Sequence, residues 1–177
     1  AARLGQYLFF ETALSGNGEH SCATCHQPEH GFSDPEALSS AMGITERHAP
    51  TIVNSAYNRW YFWDGRCDTL WCQATGPLEA PTEQGTNRLA VAHHLYADDE
   101  LNTAYTAIFG AFPDLSDTER FPANARPVAD EEDPSQIAWA SMSADDQVAA
   151  TTVFVNAAKS IAAFERKLVQ QGSAFDD

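Results

Sequence analysis

Apolar residues recur along this chain at helical rather than strand spacing. Leu4 and Leu8, flanked by Tyr7 and Phe9, predict a short amphipathic helix over residues 2–10, and Gly16, Asn17 and Gly18 then mark a turn. Between Asn87 and Phe109 two stripes follow one another: Leu89, Ala92, Leu95 and Tyr96 on the first, Leu101, Tyr105, Ile108 and Phe109 on the second. They predict a helical hairpin. The clearest helix begins near Ser143, whose hydroxyl can cap the amide of Asp146, while Asp145 and Asp146 complement the positive helix end. Phe154, Ala158, Ile161, Phe164 and Leu168 form its core stripe, and it is expected to end before Gly172. With no alternating strand pairs and no internal repeat, the expected fold is all-α.

The remaining stretches carry little periodicity. Pro28, Gly31, Asp34 and Pro35 make a loop-rich region with Phe32 as its apolar contact, and the segment from Arg47 to Arg66 is unusually aromatic. Residues 110–136 hold Pro113, Pro122, Pro127 and Pro134 together with the run Asp130-Glu131-Glu132-Asp133. That stretch reads as an exposed, loop-rich insertion without a site.

Composition narrows the class. At 177 residues the chain suits one domain, residues 1–177, able to bury its own core. A net charge of −15, from 25 acidic and 10 basic residues, disfavours nucleic acid or an anionic membrane as partner. It either steers a basic electron donor toward the chain or only keeps the surface solvated. No apolar run approaches the ~20 residues needed to span a bilayer. The chain opens on Ala1-Ala2-Arg3-Leu4 without a signal-peptide pattern, so a processed, exported form is expected.

Four cysteines then change the picture. Cys22, Cys25 and His26 spell C-x-x-C-H, the attachment site of a c-type haem. Two thiols three positions apart can each add to a vinyl group on one porphyrin edge, and the adjacent imidazole is delivered to the iron. A thioredoxin-like pair needs a βαβ surround, and a zinc site needs a second pair of ligands; neither pattern is present. One haem c is therefore expected, in an exported and periplasmic setting, with the aromatic Arg47–Arg66 segment wrapped around it. Cys67 and Cys72 lie five apart, a rise of ~7.5 Å along a straight helix, so a bond between them requires a turn or helix end. An oxidising compartment favours that disulfide, and a pair of buried thiols is the alternative.

The chain resembles the bacterial di-haem cytochrome c peroxidase family, which includes MauG-like enzymes. The matching segments are Leu4 to Phe9, Leu14-Ser15, Ser21 to His26, Gly31 to Asp34, Ala49-Pro50-Thr51, Phe62-Trp63-Asp64-Gly65-Arg66, Gln73, Gly76-Pro77-Leu78 and Ala163-Phe164-Glu165-Arg166. The resemblance implies a cytochrome c-like domain carrying the peroxide-reacting haem. The family's second, electron-transfer haem domain has no counterpart motif here and residues 173–177 resemble the junction before it, so the expectation is a fragment of a di-haem protein, a second haem on another polypeptide, or a natural single-haem protein. His26 is implied as proximal ligand, Gln73 and Glu83 as the distal-pocket pair, and Trp63 as the aromatic bridge between haems. A carboxylate of raised pKa suits Glu83, because splitting peroxide moves a proton from its inner to its outer oxygen. Gln73 can orient peroxide without charge, and Trp63 offers an oxidisable ring; packing in the core is its bland alternative.

Two departures from the family pattern matter. Some members close the resting iron with a histidine after glycine, but Gly43 is followed here by Ile44, which predicts a distal side that is open or holds water. His48 is the competitor for that ligand role, and it stands where members often have an asparagine linked to an interdomain calcium, which counts against calcium. His20, His30, His93 and His94 read as solvated or hydrogen-bonded. Three functions follow. The first reduces hydrogen peroxide with electrons from a second haem or an external cytochrome or cupredoxin. The second is a MauG-like oxidation of Trp or Tyr on a partner protein. The third is a mono-haem carrier with His/Met ligation, for which only Met42 and Met142 are available.

Overall fold

The computed structural model describes residues 1–172; the expected junction at 173–177 lies outside the described residues. Among the described residues seven α-helices follow in order: α1 (Ala2–Phe10), α2 (Cys22–Cys25), α3 (Leu70–Glu79), α4 (Arg88–Ala97), α5 (Asp99–Phe109), α6 (Pro134–Ser141) and α7 (Ala144–Glu165). Among the described residues there is no strand, only isolated bridges such as Tyr61 with Cys67. The all-α expectation holds.

α7 is the axis on which α1, α3 and α4 pack. Ser143 starts it, its Oγ accepting from the Asp146 amide at 3.2 Å, and its core stripe of Phe154, Ala158, Ile161 and Phe164 is buried as the spacing predicted. α1 crosses α7 at Gly5, where an added Cβ would lie 1.7 Å from the Ser160 carbonyl oxygen. No residue larger than glycine fits there, and the close approach brings Leu4, Leu8 and Phe9 into the core beside α7. α3 contributes Leu70, Ala74 and Leu78 to the buried face, and α4 and α5 form the predicted hairpin.

The sequence misjudged two boundaries. α7 ends at Glu165, so Leu168 lies beyond the helix, in a turn closed by Leu168 N donating to Glu165 O at 2.9 Å; it still packs on the core. Residues 110–136 are not simply an exposed loop. Leu115, Phe121 and Ala125 are buried, Arg120 grips Asp146 at 2.6 and 2.9 Å, and Arg126 Nη1 donates to Glu79 O at 2.8 Å. These anchors are spaced irregularly between prolines, so no period reveals them. The stretch is a strap across the helices that gives way to α6 at Pro134, capped by Asp133, while Asp130 to Glu132 stay exposed as expected.

Cys67 and Cys72 form a disulfide with Cα atoms 5.8 Å apart, and the start of α3 at Leu70 lies between them. The bond ties the aromatic loop to α3. Phe62 adds a second tie, since its ring tip lies 2.8 Å from where a Gly76 Cβ would stand.

Candidate active site

α2 is a single turn whose entry is held by the Ser21 amide donating to Thr24 Oγ1 at 3.0 Å. Positions 22 and 25 are three apart on one helical turn, so both thiols leave from one face. Both are free, and burial pushes Cys22 up to about 12 and raises Cys25. A redox pair depends on a depressed thiolate pKa, so these thiols are suited to attachment rather than exchange. Gln84 Nε2 donates to Cys22 Sγ at 3.4 Å.

His26 caps α2, and its Nδ1 donates to the Phe32 carbonyl oxygen at 3.1 Å. That bond assigns the proton to Nδ1 and leaves the Nε2 lone pair for a metal. Burial lowers the imidazole pKa against the opposing effect of the Phe32 and Pro50 backbones, and so favours the neutral form that a metal ligand needs. Phe32 reaches this position with φ +57°, unusual for an aromatic residue. It is held there by its own amide on Gln27 O, by Thr51 Oγ1 donating to Gly31 O, and by Asp34 N on Ala49 O. The segments 31–34 and 49–52 thus brace the backbone whose Phe32 carbonyl accepts from His26.

These residues fit a covalently attached haem. Two protonated thiols share a face, His26 Nε2 has no hydrogen-bond partner among the described residues, and neither do two buried oxygens nearby, Gln84 Oε1 and Glu165 Oε2. Both flank Cys22, Gln84 through its hydrogen bond and Glu165 through its charge, which the thiol feels.

Glu83 stands on the turn after α3, half-buried. Burial raises its pKa and the Arg66 guanidinium opposes this, while the Glu83 charge is felt at Cys25. Arg66 is fixed by both oxygens of Asp64 at 2.9 Å and lies 3.4 Å over the Phe62 ring. Gln73 lies on α3, three residues before Gly76, and so shares the helix face turned toward Phe62. Pro77 has no amide hydrogen and leaves the Gln73 carbonyl without its helical donor. Trp63 is 65% exposed, which rules out core packing, and its Nε1 donates to His48 O at 3.1 Å.

His48, the alternative ligand, packs against the 33–36 segment. Its Nδ1 donates to Glu36 O at 3.0 Å and its Nε2 pairs with Ser33 Oγ at 3.2 Å, so both ring nitrogens are engaged. His93 is hydrogen-bonded as expected, to Phe121 O at 2.8 Å, whereas His94 Nε2 is buried without a partner among the described residues. Met142 is in the core, while Met42 packs at Gly85 and is exposed. Sequence reasoning missed Gln84 and Glu165. The signal for Glu165 was available, since it follows the buried Ile161 by four residues and so sits on the core face of α7.

The helical frame and the Cys22–His26 turn define a cytochrome c-like domain of the haem c class. The whole chain, residues 1–177, matches the family model described as di-haem cytochrome c peroxidase, and the chain belongs to that family. MauG, a methylamine utilization protein of Paracoccus denitrificans, is 36% identical over 151 residues, 72% of this chain and 39% of its own length. Cytochrome c551 peroxidase of Pseudomonas aeruginosa is 29% identical over 177 residues, 98% of this chain and 40% of its own. The crystal structure of a MauG-like protein associated with microbial copper homeostasis matches 99% of this chain and 42% of its own, with TM-score 0.67 and 25% identity. The chain therefore spans about two-fifths of the length of these relatives. They are oxidoreductases of the di-haem family.

Proposed function

We propose that residues 1–177 form the peroxide-reacting haem domain of a di-haem peroxidase, working in the periplasm with a second haem domain and an external cytochrome or cupredoxin donor. Cys22 and Cys25 hold the haem and His26 is its axial ligand; the bound haem supplies the redox chemistry of its iron. Glu83 accepts the proton from the inner oxygen of hydrogen peroxide and returns it to the outer one. Gln73 orients the peroxide, and Trp63 passes electrons inward.

The observation that carries the reading is a half-buried carboxylate, raised in pKa, whose field reaches the haem-anchoring Cys25. A group poised this way serves as base and then as acid. The base form exists above the raised pKa, so the peroxide step slows as pH falls through it. In Glu83→Gln the peroxide step is expected to drop by about 10²–10⁴-fold and to lose that acid limb. Retention of the wild-type rate and pH profile in this variant removes Glu83 from the mechanism. Ile44 after Gly43, in place of the histidine that closes the iron in some family members, favours a second reading, in which the same site oxidises Trp or Tyr on a docked partner, as MauG-like enzymes do. Covalent change on the partner, found by mass spectrometry, distinguishes it.

A further inference from the structure

Glu165 is 4% exposed at the end of α7, and its Oε2 has no hydrogen-bond partner among the described residues. An isolated carboxylate in such a place is costly unless something nearby compensates it. Its neighbours come from three elements. Cys22 on α2 feels its charge and no longer titrates once bonded to haem; Tyr61 feels it as well, with its hydroxyl donating to Ser55 O and Asn58 O at 3.1 Å; Arg166 on the same segment is the cation that acts on it. The adjacent Phe164 packs on Phe9 at 5.2 Å, and Phe9 lies 6.5 Å from the His26 ring. Gln84, whose buried Oε1 has no partner among the described residues, reaches the same Cys22 from the turn after α3 through its Nε2.

We propose that Glu165 is a proton-holding site coupled to the oxidation state of the haem anchored at Cys22. One electron from a one-electron donor protein reduces the iron, and one proton from solvent converts the Glu165 carboxylate to the acid; no other bond changes. The charge added at the haem edge is cancelled beside it, and oxidation releases the proton. The effect is reciprocal by linkage, because whatever makes protonation easier on reduction makes reduction easier on protonation. Burial already pushes Glu165 up to about 8, so the exchange falls within the working pH range. A proton stored here is distinct from the one that Glu83 moves on peroxide.

The proposal rests on haem attachment at Cys22 and not on the peroxidase chemistry, and its test is independent of turnover. The iron potential of the holo-protein is titrated against pH, and the redox-difference infrared spectrum is recorded, for wild type and Glu165→Gln. In wild type the potential falls with rising pH across the neutral to mildly alkaline range, by at most tenfold in the reduction equilibrium per pH unit, about 59 mV for one electron. A protonated-carboxyl band appears on reduction. Both features vanish in Glu165→Gln while they persist in Glu83→Gln. An unchanged slope and band in Glu165→Gln overturn the proposal. Loss of peroxide cleavage in Glu83→Gln with the slope intact leaves the two functions separate, as expected.

Discussion

Replacing Gly5 by alanine tests the packing that carries the site. The new methyl would lie 1.7 Å from Ser160 O, 2.3 Å from Ser160 C and 2.8 Å from Ile161 N, all backbone atoms of a 22-residue helix that cannot turn aside. Ordinary contact begins near 3.4 Å, so α1 must move outward by about 1.7 Å. A gap of that size forfeits much of the dispersion contact of Leu4, Leu8 and Phe9, which are all buried. Overpacking of this kind costs roughly 1–3 kcal/mol, and loosening three buried side chains worth about 1.5–3 kcal/mol each adds a comparable amount. Higher helix propensity of alanine offsets about 1 kcal/mol. The net expectation is a loss of about 2–4 kcal/mol, or roughly 5–15 °C in Tm for a domain of this size. Thermal unfolding of the holo-protein measures it, with the exposed Gln6→Ala on the same helix as a control expected within about 0.5 kcal/mol of wild type. A Gly5→Ala protein as stable as wild type would refute the close-crossing argument.

Two further outcomes follow from the aromatic loop. Arg66 holds the Glu83 pKa down against burial, so Arg66→Gln raises it, and the acid limb of the peroxide step moves to higher pH in rate measurements. The Cys67–Cys72 disulfide closes a loop of sequence separation 5, and its removal in the double Cys→Ser variant is expected to cost about 2 kcal/mol in denaturant unfolding.

The frame of the domain was legible because helices announce themselves by period. α1, α4, α5 and α7 fall where Leu4 and Leu8, Leu89 and Leu95, Leu101 and Tyr105, and Phe154 through Phe164 put them. The strap at 110–136 was misjudged because Leu115, Phe121 and Ala125 follow no period, and proline with acidic residues made the stretch look solvated. His26 was legible from its motif, but its orientation was not. The bond to Phe32 O depends on a positive φ at an aromatic residue, a backbone state that no side-chain pattern predicts. For His48 the sequence shows the imidazole and hides its partners, Glu36 O and Ser33 Oγ.

The turn between α3 and α4 sets the Glu83 carboxylate and the Cys22–Cys25 turn in one register. It folds back on α3 through Gln84 N on Pro77 O, Gly85 N on Ala80 O and Thr86 N on Leu78 O, at 3.1, 2.9 and 2.9 Å. Gly16 closes it from the other side, its amide on Gln84 O at 2.7 Å, at a point where a Cβ would stand 2.6 Å from Gly85 O. Held this way, two consecutive side chains meet two positions of α2: Gln84 bonds Cys22, and the charge of Glu83 is felt at Cys25. The register between thiols and carboxylate is thus set by backbone hydrogen bonds rather than by the carboxylate itself. A substitution at the Glu83 side chain is therefore expected to leave the Cys22–Cys25 turn in place, whereas a change in the backbone of residues 80–86 displaces both together.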